Sequence, residues 1–331
     1  MRLLVTGGAG FVGSHFVRTA LTSGLPGLTV SSLTVLDALT YAGNPANLAP
    51  VAEDPRYRFV LGDVRDKALL GQLLQGIDAV VNFAAETHVD RSIDDAEAFV
   101  GTNVVGAQTL FDACVAAGTA RVLHVSTDEV YGSIDAGSWT EDSPLQPNSP
   151  YAAAKASADL FARAYVNTHG LPAIVTRCCN NSGPYQYPEK VVPLFVTNLI
   201  DGRKVPLYGD GRNIRDWLHV DDHCRGVAIA LTRGAVGSVY NIAGGGELSN
   251  RELTARIVDA FGLGWDRVEP VTDRPGHDLR YSLDDSRLRA LGYEPQHSLS
   301  EGLPETIDWY RHNEAWWRPL LSPPRRTERP R

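Results

Sequence analysis

The chain has 331 residues and 43% hydrophobic content, enough to bury a sizeable core as one large α/β domain or two smaller ones. A formal net charge of -8 argues against a nucleic-acid surface, which needs a basic face, although local arginines can still hold an anionic small ligand. The N-terminus runs directly into a strand-like segment and no stretch is long and apolar enough to span a bilayer, so neither secretion nor a membrane anchor is expected.

In chain order, "RLLVT", "SLTVLD", "YRFVLGD", "DAVVNFAA", "RVLHVST" and "PAIVTRC" read as near-continuous apolar strands. Amphipathic segments such as "KALLGQLLQG" and "AQTLFDACVAAG" lie between them. This alternation predicts an α/β fold with a Rossmann-type doubly wound parallel sheet. From about Gly183 the texture changes to proline, glycine and aromatic loops around shorter elements. We therefore expect residues 1–182 to be mainly the Rossmann domain and 183–320 mainly a loop-rich lobe, with segments free to return to the sheet. Residues 321–331 are expected to be a disordered tail. Cys114, Cys178, Cys179 and Cys224 show no C-x-x-C spacing and are read as cytoplasmic thiols. No clustered metal-ligand spacing is present.

The first strand ends in "VTGGAGFVGSHFV". Gly8, Gly10 and Gly13 fit G-x-G-x-x-G, and Gly7, Gly10 and Gly13 fit the G-x-x-G-x-x-G register. Glycine suits a tight turn whose backbone must approach a pyrophosphate at a helix N-terminus. A tight turn without a ligand is the plainer alternative. Asp37 closes the second strand, about where an acid binds ribose hydroxyls, which favours NAD over NADP. Asp63, ending the third strand, either flanks the adenine or caps the strand.

Further along, "STDEVYG" (Ser126 to Gly132) places two acids at the end of an apolar strand, and "SPYAAAKAS" places Tyr151 and Lys155 four residues apart, on one face of a helix. A lysine beside a phenol favours the phenolate, which can take a proton from a substrate hydroxyl while nicotinamide accepts the carbon-bound hydride.

"TGGAGFVGSH", "STDEVYG" and "YAAAK" together resemble the extended short-chain dehydrogenase/reductase family, which works on nucleotide sugars. "DALTYAGNPANL", "AAETHVDRSI", "RCCNNSGPYQYPEK", "PLYGDGRNIRDWLHVDD" and "DRPGHDLRY" narrow the resemblance to the dTDP-glucose 4,6-dehydratases, as far as about Trp317. The resemblance implies conversion of dTDP-glucose to dTDP-4-keto-6-deoxyglucose and water, by NAD-mediated intramolecular hydride transfer from carbon 4 to carbon 6. An NAD-dependent 4-epimerase, decarboxylase or other dehydratase is the alternative.

By the same resemblance, Glu129 takes the carbon 5 proton, Asp128 protonates the departing carbon 6 hydroxyl, and Thr127 bonds the carbon 4 oxygen beside Tyr151. Gly7, Gly10, Phe11, Val12, Gly13, Asp37, Leu39, Thr40, Asp63, Val64, Ala84, Ala85, Thr102 and Asn181 join Tyr151 and Lys155 around NAD. Thr87, Thr127, Asn180, Lys190, Val191, Pro206, Leu207, Tyr208, Arg215, Asn250, Asp273, Arg274, Pro275, Gly276 and His277 hold the nucleotide sugar. Arg215 is expected to fork onto the diphosphate, the alternative being a surface ion pair with Asp216 or another nearby acid. Tyr208 is expected at the nucleobase, and His88 and Asp90 near the active site as supports. A homodimer is implied. Three departures stand out: Ser182 where the family usually has tyrosine, Thr87 where it usually has serine, and Ala154 where serine is common.

Overall fold

Strands buried on both faces cannot alternate apolar and polar residues, and the apolar runs follow that rule except Tyr57–Leu61, which is partly exposed. In the computed structural model, which describes residues 1–321, they form β1 (Arg2–Thr6), β2 (Ser32–Asp37), β3 (Tyr57–Leu61), β4 (Ala79–Asn82), β5 (Arg121–Thr127) and β6 (Ala173–Cys178). Later come β7 (Asn180–Ser182), β8 (Val205–Tyr208), β9 (Ile214–His219), β10 (Val239–Ile242), β11 (Glu247–Ser249) and β12 (Val268–Val271). The main sheet has the order β10-β6-β5-β4-β1-β2-β3, with every neighbouring pair parallel. Its outer strand β10 belongs to the second half of the sequence, so the chain leaves the sheet after β6 and returns.

Leu3 and Val5 point into one buried apolar cluster and Leu4 into another, so adjacent β1 residues serve opposite faces. A third cluster, around Trp217, Leu253, Tyr310 and Trp317, is built wholly from residues after 190. It lies among the small sheets β11-β9-β7 and β12-β8. The expected tail lies outside the described residues, apart from Leu321, which ends the helix Glu314–Leu321. Among the described residues no helix is long and apolar enough to cross a membrane.

Local chemistry places the helices. The crossover helix Phe11–Leu21 starts directly after the glycine turn, with Gly10 at its N-cap. The helix Pro150–His169 has Ser149 at its N-cap, accepting from the Ala152 N–H, Pro150 in its first turn and left-handed Gly170 at its end. Between β1 and β4 the winding direction of the sheet switches, which opens a crevice at the carboxyl ends of the strands.

Candidate active site

A cleft of about 340 Å³ occupies that crevice. One side is the glycine turn. Gly7 has φ +69°, and a Cβ there would sit 2.5 Å from the Ala84 nitrogen; a Cβ on Gly13 would collide with the Gly7 oxygen. Side chains at either position would force the turn off the backbone it packs against, so glycine is required at Gly7 for conformation and at both for close approach. Asp37 accepts main-chain N–H bonds from Ala9 and Leu39, each at 2.8 Å, and so braces the turn from β2. Asp63 accepts from the Arg65 main chain and pairs with its guanidinium at 2.6 Å, while still lining the cleft.

All the expected cofactor residues line the cleft except Leu39, which is held in the left-handed region beside it. Thr127, Asp128, Glu129, Tyr151 and Lys155 line it too. The acids sit there because β5 ends in a short 3₁₀ turn, Asp128–Tyr131, capped by the Thr127 hydroxyl, which accepts from the Glu129 N–H at 3.3 Å. Gly132 closes the turn at φ +78°, with Gln146 O pressed against the place where a Cβ would stand. Tyr151 opens its helix, and its N–H donates to Ser92 Oγ at 3.1 Å. Strand end and helix start therefore meet at one place.

The charges of the two acids are set differently. Asp128 is 2% exposed, and burial together with the Glu129 carboxylate pushes its carboxyl well above the usual range, against smaller opposing effects of Arg215 and Thr127. Burial also raises Glu129, but Arg274, Arg215 and Lys190 oppose it. The geometry thus favours a protonated Asp128 beside a more readily ionised Glu129.

Lysine and tyrosine are both buried. The Lys155 ammonium donates to Val125 O at 2.6 Å, and burial lowers it to about 8 against the opposing charge of Asp159. Burial and then Glu129 push the Tyr151 phenol well above its ordinary value, with the Thr127 hydroxyl pulling the other way. The i, i+4 spacing brings the pair to one face, where both line the cleft.

The substrate candidates divide into two groups. Thr87, Asn180, Lys190 and Val191 line the cleft, with Lys190 donating to Thr87 O at 2.7 Å. Pro206, Leu207, Tyr208, Arg215, Asn250 and residues 273–277 lie beyond its lining, on β8, β9, the start of the helix Asn250–Ala260 and the loop after β12. Among the described residues Arg215 forms no ion pair, with Asp216 or any other acid. It is buried, donates to Ile214 O and Asp278 O, and stacks on the Tyr281 ring at 4.4 Å. Asp216 instead accepts from the Gly244 and Gly246 N–H groups. Tyr208 donates to Asp90 at 2.9 Å, and Arg274 also pairs with Asp90 at 3.2 Å. His88 caps the helix Val89–Asp94.

Sequence reasoning missed Cys178, Cys179, Trp217, Gln186, Glu189 and His223, which also line the cleft. His223 had no motif around it. It follows the helix N-terminus at His219 and reaches Asn181 at 3.0 Å, and burial lowers it to about 3, so it is neutral. Asp221, Asp222 and His297 bring ligand-type atoms within 4.8 Å of one another, but both Asp222 oxygens already accept main-chain N–H groups from Gln296 and His297.

Residues 4–306 match the family described as GDP-mannose 4,6 dehydratase. A dTDP-glucose 4,6-dehydratase of Streptomyces niveus is 56% identical over all of this chain and 98% of its own length. The chain belongs to this family of extended short-chain dehydrogenase/reductases. Within the family, DesIV, a dTDP-glucose 4,6-dehydratase from Streptomyces venezuelae with NAD and TYD bound, is 62% identical, with a TM-score of 0.96 over 97% of this chain and 100% of that one. A UDP-glucuronic acid 4-epimerase from Bacillus cereus, in complex with UDP-glucuronic acid and NAD, also matches: TM-score 0.87, 28% identity, 94% of this chain and 99% of that one. The fold is thus common to dehydratases and epimerases, and residues at the site must separate them.

Proposed function

We infer that the chain is an NAD-dependent dTDP-glucose 4,6-dehydratase, a hydro-lyase converting dTDP-glucose to dTDP-4-keto-6-deoxyglucose and water. The observation that carries this reading is the acid pair on one turn, lining the cleft with Thr127 and Tyr151, with the Asp128 carboxyl pushed up by burial and by Glu129. A 4-epimerase needs the redox step but has no use for an acid at Asp128.

The glycine turn fits a dinucleotide, since it is packed against its own helix and the end of β4 as tightly as only glycine allows and its Gly7, Gly10 and Gly13 line the cleft at a helix N-terminus. Gly10, Phe11 and Val12 would present the helix N-terminus to the pyrophosphate, and Asp37, Asp63 and Val64 would flank the adenosine half. Ala84, Ala85, Thr102 and Asn181 would complete the cofactor side. Bound NAD supplies the acceptor for the carbon 4 hydride and the donor that reduces carbon 6.

The protein's own groups handle the protons. Tyr151 takes the proton of the carbon 4 hydroxyl, with Thr127 bonding the same oxygen. The resulting ketone acidifies carbon 5, so Glu129 can remove its proton while Asp128 protonates the leaving carbon 6 hydroxyl. Glu129 then returns its proton to carbon 5. Arg215 and Arg274 support the sugar diphosphate; Arg215 retains guanidinium hydrogens beyond those spent on carbonyls. Thr87, Asn180, Lys190, the loop around Tyr208 and residues 273–277 complete the substrate side. We extend the proposal to two lobes, 1–182 and 183–320, a homodimer and a cytoplasmic location.

Purified protein is expected to release NAD on denaturation, and turnover is expected to yield the 4-keto-6-deoxy product without net NADH. NADH accumulating in step with product would mark an ordinary dehydrogenase instead.

A further inference from the structure

Tyr208 and Arg274 are far apart in sequence, yet one small sheet delivers them together. β8 and β12 pair in parallel with Tyr208 opposite Val271, and the Gly209 N–H donates to Val271 O at 3.0 Å just past the paired residues. In the loop that follows, His277 bonds Asp273 at 2.6 Å and stands edge-on to the Tyr208 ring at 6.2 Å. Thr272, Asp273, Pro275 and Gly276 are exposed. A two-stranded sheet of four-residue strands is marginal on its own, so its loop end needs a tether.

The tether is a carboxylate from the segment after β4. Asp90 accepts from the Tyr208 hydroxyl on Oδ2 at 2.9 Å and from Arg274 Nη1 on Oδ1 at 3.2 Å, one oxygen for each side chain. Its neighbours bridge the same rim: Lys190 donates to Thr87 O at 2.7 Å, and Arg91 pairs with Glu189 at 2.8 Å. Thr87, Glu189 and Lys190 all line the cleft. We propose that Asp90 is a positioning residue for the nucleotide sugar, holding Tyr208 and Arg274 in place at the rim so that the substrate meets a formed subsite. This rests on the dehydratase reading, which assigns both side chains to the substrate. A guanidinium has five N–H groups, so the one given to Asp90 leaves others for diphosphate oxygens. Binding then avoids the cost of ordering the loop. Asp90 hydrogen-bonds to Tyr208 and Arg274 rather than to the residues that move protons, so its effect falls on binding and not on the chemical step.

The test is dTDP binding by calorimetry, with KM and kcat for dTDP-glucose, on NAD-loaded Asp90→Ala and Asp90→Asn. Asp90→Ala is expected to raise the Kd for dTDP and the KM about 10- to 100-fold, while kcat stays within about twofold. Asp90→Asn keeps an acceptor oxygen without the charge and should fall between. In protein already carrying Tyr208→Phe and Arg274→Ala, adding Asp90→Ala should change little, because the partners it acts through are gone. Unchanged dTDP affinity in Asp90→Ala, or an equal further loss in that background, would leave Asp90 as an acid in the first turn of its own helix and overturn the proposal. Should Asp90→Ala lose its fold, as read from melting and bound NAD, Asp90→Asn decides the same comparison. Wild-type protein that makes no 4-keto-6-deoxy product would remove the dehydratase reading itself, whereas normal wild-type turnover with unaffected Asp90 variants would remove only the role of Asp90.

Discussion

Glu129→Gln and Asp128→Asn are each expected to lower kcat by about 10²- to 10⁴-fold, but to stop the reaction at different points. Without the Glu129 carboxylate, nothing positioned removes the carbon 5 proton, so exchange of that position with deuterated solvent should disappear. Without a proton on Asp128, exchange at carbon 5 should persist while loss of the carbon 6 hydroxyl slows. Both variants should keep NAD, because neither side chain is part of the glycine cradle. The double variant should be little worse than either single one, since the two groups act in one step. The pH dependence has a definite sign. Asp128 works protonated, and burial beside Glu129 raises its pKa, so its contribution is lost as pH rises through the elevated value. Asp128→Asn should lack that alkaline loss. Wild-type dehydration rates in both variants would refute the assigned roles.

The largest effect on stability is expected from Asp159→Ala. Asp159 and Arg177 are 3% and 5% exposed and pair at 2.8 Å. Arg177 also donates to the Tyr131 hydroxyl at 2.7 Å, and Tyr131 donates in turn to Asn241 at 2.9 Å. Lys155, also buried, depends on Asp159 for opposing charge. Removing one carboxylate therefore strands two buried cations, and breaking a buried pair in this way costs about 3–5 kcal/mol. The urea midpoint should fall accordingly with the slope nearly unchanged. A midpoint within error of wild type would show that this network does not tie the helix Pro150–His169 to the turn carrying the acids.

Much of this was legible because it is local. Six apolar runs became six parallel strands; the inner ones are buried on both faces and need only their own residues to be apolar, while β3 at the edge is partly exposed. The glycine turn and the acid pair were legible for the same reason: each lies in a few consecutive residues at a strand end. Asp159 was within reach as well, four residues beyond Lys155 on the same helical face, but its partner Arg177 comes from β6 and no short motif joins them. The short strands β7, β8, β11 and β12 have three or four residues and take their conformation from partners far along the chain. The surroundings of Arg215 were out of reach for a related reason. Sequence shows a charge next to Asp216, whereas β9 sends the two side chains to different partners. The Tyr151 and Lys155 spacing gave the shared face, while burial and Glu129, which act on the phenol from outside the motif, were not visible in it.

The most direct test is to follow deuterium placed on carbon 4 of dTDP-glucose. Tyr151 opens that carbon to oxidation, and Glu129 and Asp128 then leave carbon 6 as the electrophilic position. The label should appear on carbon 6 of the same molecule, and a mixture of labelled and unlabelled substrate should give no crossover products. Deuterium returned to carbon 4, with the carbon 6 hydroxyl intact, would contradict the dehydratase and indicate an epimerase.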